Sequence, residues 1–200
     1  MSTIAAPPRP DAPDPARAVA ARTVDPLLDA IDRAGEELFG RMRDHRAADA
    51  LAAVTSNLSD YGLVWVLVAA YKARRPGLRR RRAIAGLAVA GVLSYAVNRA
   101  VKRRVGRPRP AGRSERFVPV RRPTSSSFPS GHTLAACCTA VVLSDGGTET
   151  ALALGFAAAV ALSRVHLGAH HLSDVVGGGV IGAVLGLVAR AALERLVPAE

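Results

Sequence analysis

Two hundred residues, half of them hydrophobic, suffice for one domain with a sizeable core, and the scarcity of aromatics leaves Ala, Val, Leu and Gly to fill it, a composition suited to helices packed through small residues. The formal net charge is +11, yet the basic residues gather in short loops between apolar segments, which points to membrane edges and anionic groups and away from nucleic acid. Cys137 and Cys138 are the only cysteines and are adjacent inside an apolar run, a spacing that suggests neither a disulfide framework nor a metal site.

Residues 1–24 are rich in Pro, Ala, Asp and Arg, lack a continuous apolar stretch, and read as a disordered tail with no secretory signal. Asp25 followed by Pro26 is a helix start, a cap and then a first-turn proline. From there Leu28, Ile31, Gly35, Leu38 and Met42 recur at helical spacing, with Asp29, Asp32, Arg33, Glu36 and Arg43 mostly elsewhere. This predicts an amphipathic helix over 25–46, within a unit taken as 25–50, docked on the bundle or lying on the membrane surface. It is too charged to span a bilayer.

Five apolar segments follow, at about 51–71, 83–101, 131–143, 150–167 and 175–193. The second and fifth approach the roughly 20 residues needed to cross the hydrocarbon core. Gly177, Gly178, Gly179, Gly182 and Gly186 would weaken a soluble helix but permit close approach in a membrane bundle. The fold expected is an all-α polytopic membrane bundle of about five transmembrane helices, with residues 51–200 forming the membrane-embedded unit; the short third segment keeps a soluble helical bundle as the alternative.

With five crossings, the loop after the second segment, the start of the third and the loop joining the fourth and fifth all share one side. Each holds unusual residues. The first carries "KRRVGRPRP", with Lys102 and Arg109; alone it reads as a basic stretch meeting lipid headgroups. The second is "PSGH", where Ser130, Gly131 and neighbouring amides form a helix N-terminus suited to an anion, or only a turn and cap beside His132. The third is "SRVHLGAHHLSD". There His170 and Asp174 are four apart on one helical face, a spacing that serves either a carboxylate-supported catalytic imidazole or a structural hydrogen bond. Arg164 adds another cation. Four of the five histidines (His132, His166, His170 and His171) fall in these clusters.

Taken together, Lys102 with Arg109-Pro110, then Pro129-Ser130-Gly131-His132, then Ser163-Arg164 with His170 and Asp174, resemble the three-part signature of the type 2 phosphatidic acid phosphatase superfamily, the lipid phosphate phosphatases. The resemblance covers residues 102–174 and implies roles. His170 would attack phosphorus to form a phosphohistidine, Asp174 would orient it, and His132 would protonate the leaving oxygen and later activate water. Lys102, Arg109, Arg164, Ser130 and the Gly131 amide would hold the phosphoryl oxygens. No metal or other cofactor is expected.

His166 and His171 receive no role from the signature, and Arg107 is grouped with the arginines that meet anionic headgroups. The implied enzyme is a multi-pass phosphatase of a bacterial plasma membrane, with the bilayer and a lipid phosphate as partners and no obligate protein partner. Candidate substrates are polyprenyl diphosphates, phosphatidate, phosphatidylglycerol phosphate and a polyprenyl-phosphoryl pentose 5-phosphate. The alternatives are a vanadate-dependent haloperoxidase-like enzyme, which shares the site, and a catalytically dead lipid-binding membrane protein.

Overall fold

The computed structural model describes residues 25–43, 45–74, 76–110 and 124–196; the tail expected over 1–24 and the arginine-rich stretch 111–123 lie outside the described residues. Among those described, seven α-helices occur in chain order: α1 (Pro26–Gly40), α2 (Arg46–Ser59), α3 (Leu63–Lys72), α4 (Leu78–Val105), α5 (Gly131–Leu143), α6 (Gly147–His166) and α7 (Leu172–Leu196). A single 3₁₀ turn, Asp60–Gly62, separates α2 from α3.

The amphipathic helix starts as the sequence indicates. Asp25 Oδ1 accepts the Leu27 amide at 2.8 Å and Pro26 occupies the first turn. It ends earlier than expected, at Gly40, because the chain then turns to bring Arg43 against α6. There Arg43 Nε and Nη2 donate to the carbonyls of His166 and Val165 at 3.0 and 3.1 Å. These are last-turn carbonyls that the helix itself leaves unsatisfied. The expected unit boundary at residue 50 therefore falls inside α2. Phe39 and Gly35 bury α1 against α6 and α7, while Leu28, Leu38 and Met42 stay exposed as an apolar strip suited to a membrane interface.

All five apolar segments are helical, but their lengths differ from five equal crossings. The helical stretches Arg79–Val105, Gly147–His166 and Leu172–Leu196 are each long and apolar enough to cross a membrane, and α2 with α3 meet the same test only when taken together across a bend of 58°. The third segment, α5, has only 13 residues, about 20 Å at 1.5 Å per residue. It can be short because it is the axis of the bundle. Leu134, Ala136, Cys138 and Ala140 are buried, and α4, α6 and α7 pack around it. Outward-facing Val92, Tyr95, Leu152, Val180 and Leu187 give the bundle an apolar exterior, the inverse of a soluble surface.

Glycine spacing on α7 sets the central contact. A Cβ on Gly178, Gly182 or Gly186 would stand 2.8, 2.3 or 2.9 Å from the carbonyl oxygens of Ser130, Leu134 and Cys138. Only glycine at each fourth position lets α7 lie directly on the backbone of α5. That approach brings the α5 N-terminus beside the first turn of α7, where the Ser130 amide donates to the Asp174 carbonyl at 3.0 Å. Two sequence clusters are thereby joined.

Candidate active site

At this end of the bundle, α4 stops at Gly106, whose left-handed backbone (φ 62°) turns the chain away from the helix. Lys102 from the last turn and Arg109 beyond the stop then reach the same strip of backbone. Lys102 Nζ donates to the Ser126 carbonyl at 2.8 Å, and Arg109 donates to the carbonyls of Ser125 and Ala169 at 3.1 and 2.7 Å. The Ala169 contact carries the first cluster to the third. Arg109 Nη1 lies 3.2 Å from His170 Nε2, the ring nitrogen facing away from Asp174.

His170 and Asp174 are both buried. His170 Nδ1 faces Asp174 Oδ2 at 3.6 Å, longer than a hydrogen bond. The carboxylate is fixed from several directions: it accepts from the Ser127 hydroxyl, from the His171 amide at 2.9 Å and from Arg107 Nη1 at 2.6 Å. Burial lowers the His170 pKa to about 4; the adjacent Asp174 pulls it upward, while Arg109 and Arg164 press it down. The imidazole is accordingly neutral at physiological pH, with a lone pair available at one nitrogen. Burial also lowers the Arg109 pKa, with Asp174 offsetting part of the effect.

Arg164, on the last turn of α6, is almost fully buried. Nη1 donates to the Ser56 hydroxyl, whereas Nε and Nη2 have no partner among the described residues. An arginine held at one corner with buried donors to spare is poised for an anion that brings several acceptor oxygens. His132, in the first turn of α5, pairs with Asp60 through Nε2 at 2.6 Å. Ser130 is wholly buried and its Oγ accepts from Thr133 at 3.1 Å. Gly131 has a closer neighbour than the sequence disclosed: a Cβ there would meet the Asn98 amide nitrogen at 2.9 Å.

Several residues in this region are not distinguishable in the sequence. Arg107, grouped there with headgroup-facing arginines, forks between Asp174 and Asp32 and also donates to Ser173 Oγ at 2.7 Å. Burial alone would lower its pKa, but Asp174 and Asp32 outweigh that and raise it. Asp32 in turn accepts the Ser173 amide at 2.8 Å, tying α1 to the start of α7. His166 is buried and pairs with Asp49 at 2.7 Å. A polar residue every three or four positions on α1 was the available signal for Asp32; nothing local marks Arg107 among its neighbours.

The PAP2 superfamily model matches residues 83–197. The chain is 34% identical to the decaprenylphosphoryl-5-phosphoribose phosphatase of Mycolicibacterium smegmatis over 159 residues, 80% of this chain and 83% of that protein. The protein of the same name from Mycobacterium tuberculosis is 31% identical over 134 residues, 66% of this chain and 73% of the relative. Among solved structures, the transmembrane PAP2-type phosphatidylglycerolphosphate phosphatase of Bacillus subtilis shares the fold with a TM-score of 0.68 at 23% identity, covering 92% of this chain and 94% of that one. Aquifex aeolicus LpxE gives 0.62 at 26% identity, covering 76% and 92%.

Proposed function

The chain belongs to the PAP2 superfamily and is a membrane lipid phosphate phosphatase, and from that premise we propose that it removes the terminal phosphate of a polyprenyl-linked sugar phosphate, without a metal, through a phosphohistidine on His170. The observation that carries the reading is the buried carboxylate and Arg109 beside His170, with Arg164 near enough to disfavour the charged imidazole and keeping buried donors that have no partner among the described residues. The two mycobacterial relatives act, by name, on decaprenylphosphoryl-5-phosphoribose. That is the substrate class assigned here, in a bacterial plasma membrane.

The chemistry follows from the charges. A phosphomonoester arrives as an anion, and Lys102, Arg109 and Arg164, with Ser130 and the Gly131 amide at the α5 N-terminus, hold its oxygens. As Arg109 turns to a phosphoryl oxygen it releases His170 Nε2, which forms the N–P bond while the P–O bond to the sugar breaks. Asp174 balances the charge that the phosphorylated ring acquires. His132 gives a proton to the departing alcohol oxygen and takes one from the water that cleaves the N–P bond, regenerating His170 and releasing phosphate. The three cations stabilise the charge on the transferring group, the part a metal plays in other phosphoryl-transfer enzymes.

The test is phosphate release by detergent-purified protein from a polyprenylphosphoryl-5-phosphoribose, phosphatidylglycerol phosphate, phosphatidate and a polyprenyl diphosphate, each with EDTA. The reading requires the sugar-phosphate lipid to be preferred and EDTA to leave the rate unchanged. Preference for a glycerolipid would refute the substrate assignment, and loss of activity in EDTA would refute metal independence.

A further inference from the structure

Three polar side chains on α2 and at its C-terminal cap enter the site from a segment that the signature residues do not include. Asp49, Ser56 and Asp60 are seven and four residues apart along the chain, positions that share one helical side. Each meets a different residue of the site end: Asp49 holds His166 Nε2 at 2.7 Å, Ser56 accepts from Arg164, and Asp60 Oδ1 lies 2.6 Å from His132 Nε2.

The helix ends where the third of these contacts is made. Asp60 follows the last residue of α2 with an extended backbone (φ −63°, ψ 137°), Gly62 adopts a left-handed conformation (φ 69°), and α3 departs at 58°. A carboxylate in an apolar span is costly and needs a compensating partner. Here the partner is the histidine at the start of α5. Side-chain exposures of 30% for Asp60 and 25% for His132 put the pair at the edge of the site rather than in the core.

We infer that Asp60 is the positioning residue for proton transfer by His132, an assignment that rests on the phosphatase reading above. By occupying Nε2, Asp60 leaves Nδ1 as the nitrogen that exchanges protons with substrate. In the first step the imidazolium carries Nδ1–H and Nε2–H; Nε2–H stays with Asp60, and Nδ1–H passes to the leaving alcohol oxygen as the P–O bond breaks and His170 Nε2 bonds to phosphorus. In the second step Nδ1 receives a proton from water as the water oxygen bonds to phosphorus and the N–P bond breaks. Asp60 thus plays for the acid the part that Asp174 plays for the nucleophile. The break between α2 and α3 is the backbone device that delivers it.

Leaving-group chemistry tests this. The sugar alkoxide needs protonation as it departs, whereas p-nitrophenolate does not, and kcat/KM reports the step that forms the phosphoenzyme. Asp60→Asn preserves shape but removes the charge. In protein shown by size-exclusion chromatography to be folded, it should lower kcat/KM on polyprenylphosphoryl-5-phosphoribose about 10- to 100-fold, part of the range for general acid catalysis. KM should stay within about threefold, and p-nitrophenyl phosphate hydrolysis should fall far less. Asp60→Glu, which keeps the charge, should recover part of the loss. Equal losses on both substrates, no loss on either, or no difference between the Asn and Glu variants would overturn the assignment of Asp60. Wild-type protein that released phosphate from neither compound nor from any other lipid of the panel above would overturn the phosphatase reading itself.

Discussion

Replacing Arg107 by Ala removes, in one step, the contacts to Asp174 at 2.6 Å, to Ser173 at 2.7 Å and to Asp32. Truncating one partner of a buried ion pair costs about 3–5 kcal/mol, mostly because the other charge is left uncompensated. Asp174 is fully buried but keeps the Ser127 hydroxyl and the His171 amide, and the Arg107 side chain is 18% exposed. Those facts place the loss at or just below the lower end of that range, at about 2–3 kcal/mol. For a chain of this size each kcal/mol shifts the melting midpoint by about 2–4 °C, so the midpoint should fall by roughly 4–12 °C. Catalysis should suffer as well. Asp174 loses a fixed direction, His170 loses its orientation, and kcat should fall about 10- to 100-fold with little change in KM.

Control variants separate the contacts of the network. Arg107→Lys keeps a charge but cannot fork between two carboxylates, and should fall between wild type and Ala. Asp32→Ala leaves the Arg107–Asp174 pair in place and should cost less than Arg107→Ala. Combining the two should cost less than their sum, because both act on one network. Thermal unfolding in detergent and phosphate release on the same preparations supply the numbers. A midpoint within 1 °C of wild type together with unchanged turnover in Arg107→Ala would refute the network, as would strict additivity with Asp32→Ala.

His170 has its pKa lowered to about 4, chiefly by burial, and a lowered pKa extends the neutral form to lower pH. The acid limb of kcat/KM due to the nucleophile should therefore lie near pH 4; a His170 titration near 6.5, followed by NMR of labelled histidine, would contradict this. On the packing side, Gly182→Ala drives a Cβ to 2.3 Å from the Leu134 carbonyl oxygen and should lower both the melting midpoint and turnover by separating α5 from α7. Gly155→Ala, on an exposed part of α6 with no atom within 4 Å, should instead raise the midpoint slightly, since alanine favours a helix by about 0.5–1 kcal/mol over glycine. Equal melting midpoints for the two variants would show that the glycine spacing is not what sets the helix approach.

The apolar segments were legible because length and composition are local, and the signature residues because their internal spacings are short. The four-residue separation of His170 and Asp174 is plain in the sequence, but the single helical face it suggests is not formed: His170 stands two residues before α7 begins and faces Asp174 across the helix start. Arg107 could not be told from the arginines around it, since Asp32 and Asp174 lie 75 and 67 positions away. Asp60 was hidden inside a segment whose apolar weight suggested one continuous helix. Its significance comes from a break at Gly62 and from His132, 72 positions on. Gly131 shows a subtler limit: it marks a tight approach, but the neighbour within reach is Asn98. Periodicity and spacing report which faces are apolar and which residues recur together; side-chain pairing across the bundle depends on the helix crossings, which no short stretch encodes.

In the proposed mechanism phosphate passes through His170. Rapid quench of the protein turning over a radiolabelled polyprenylphosphoryl-5-phosphoribose, followed by peptide mass spectrometry under alkaline conditions that preserve phosphohistidine, tests it directly. The proposed mechanism requires one acid-labile phosphoryl group on His170, formed fast enough to precede phosphate release, and neither label nor turnover in His170→Ala. Turnover by wild type with no label on His170, or sustained turnover by His170→Ala, would contradict it.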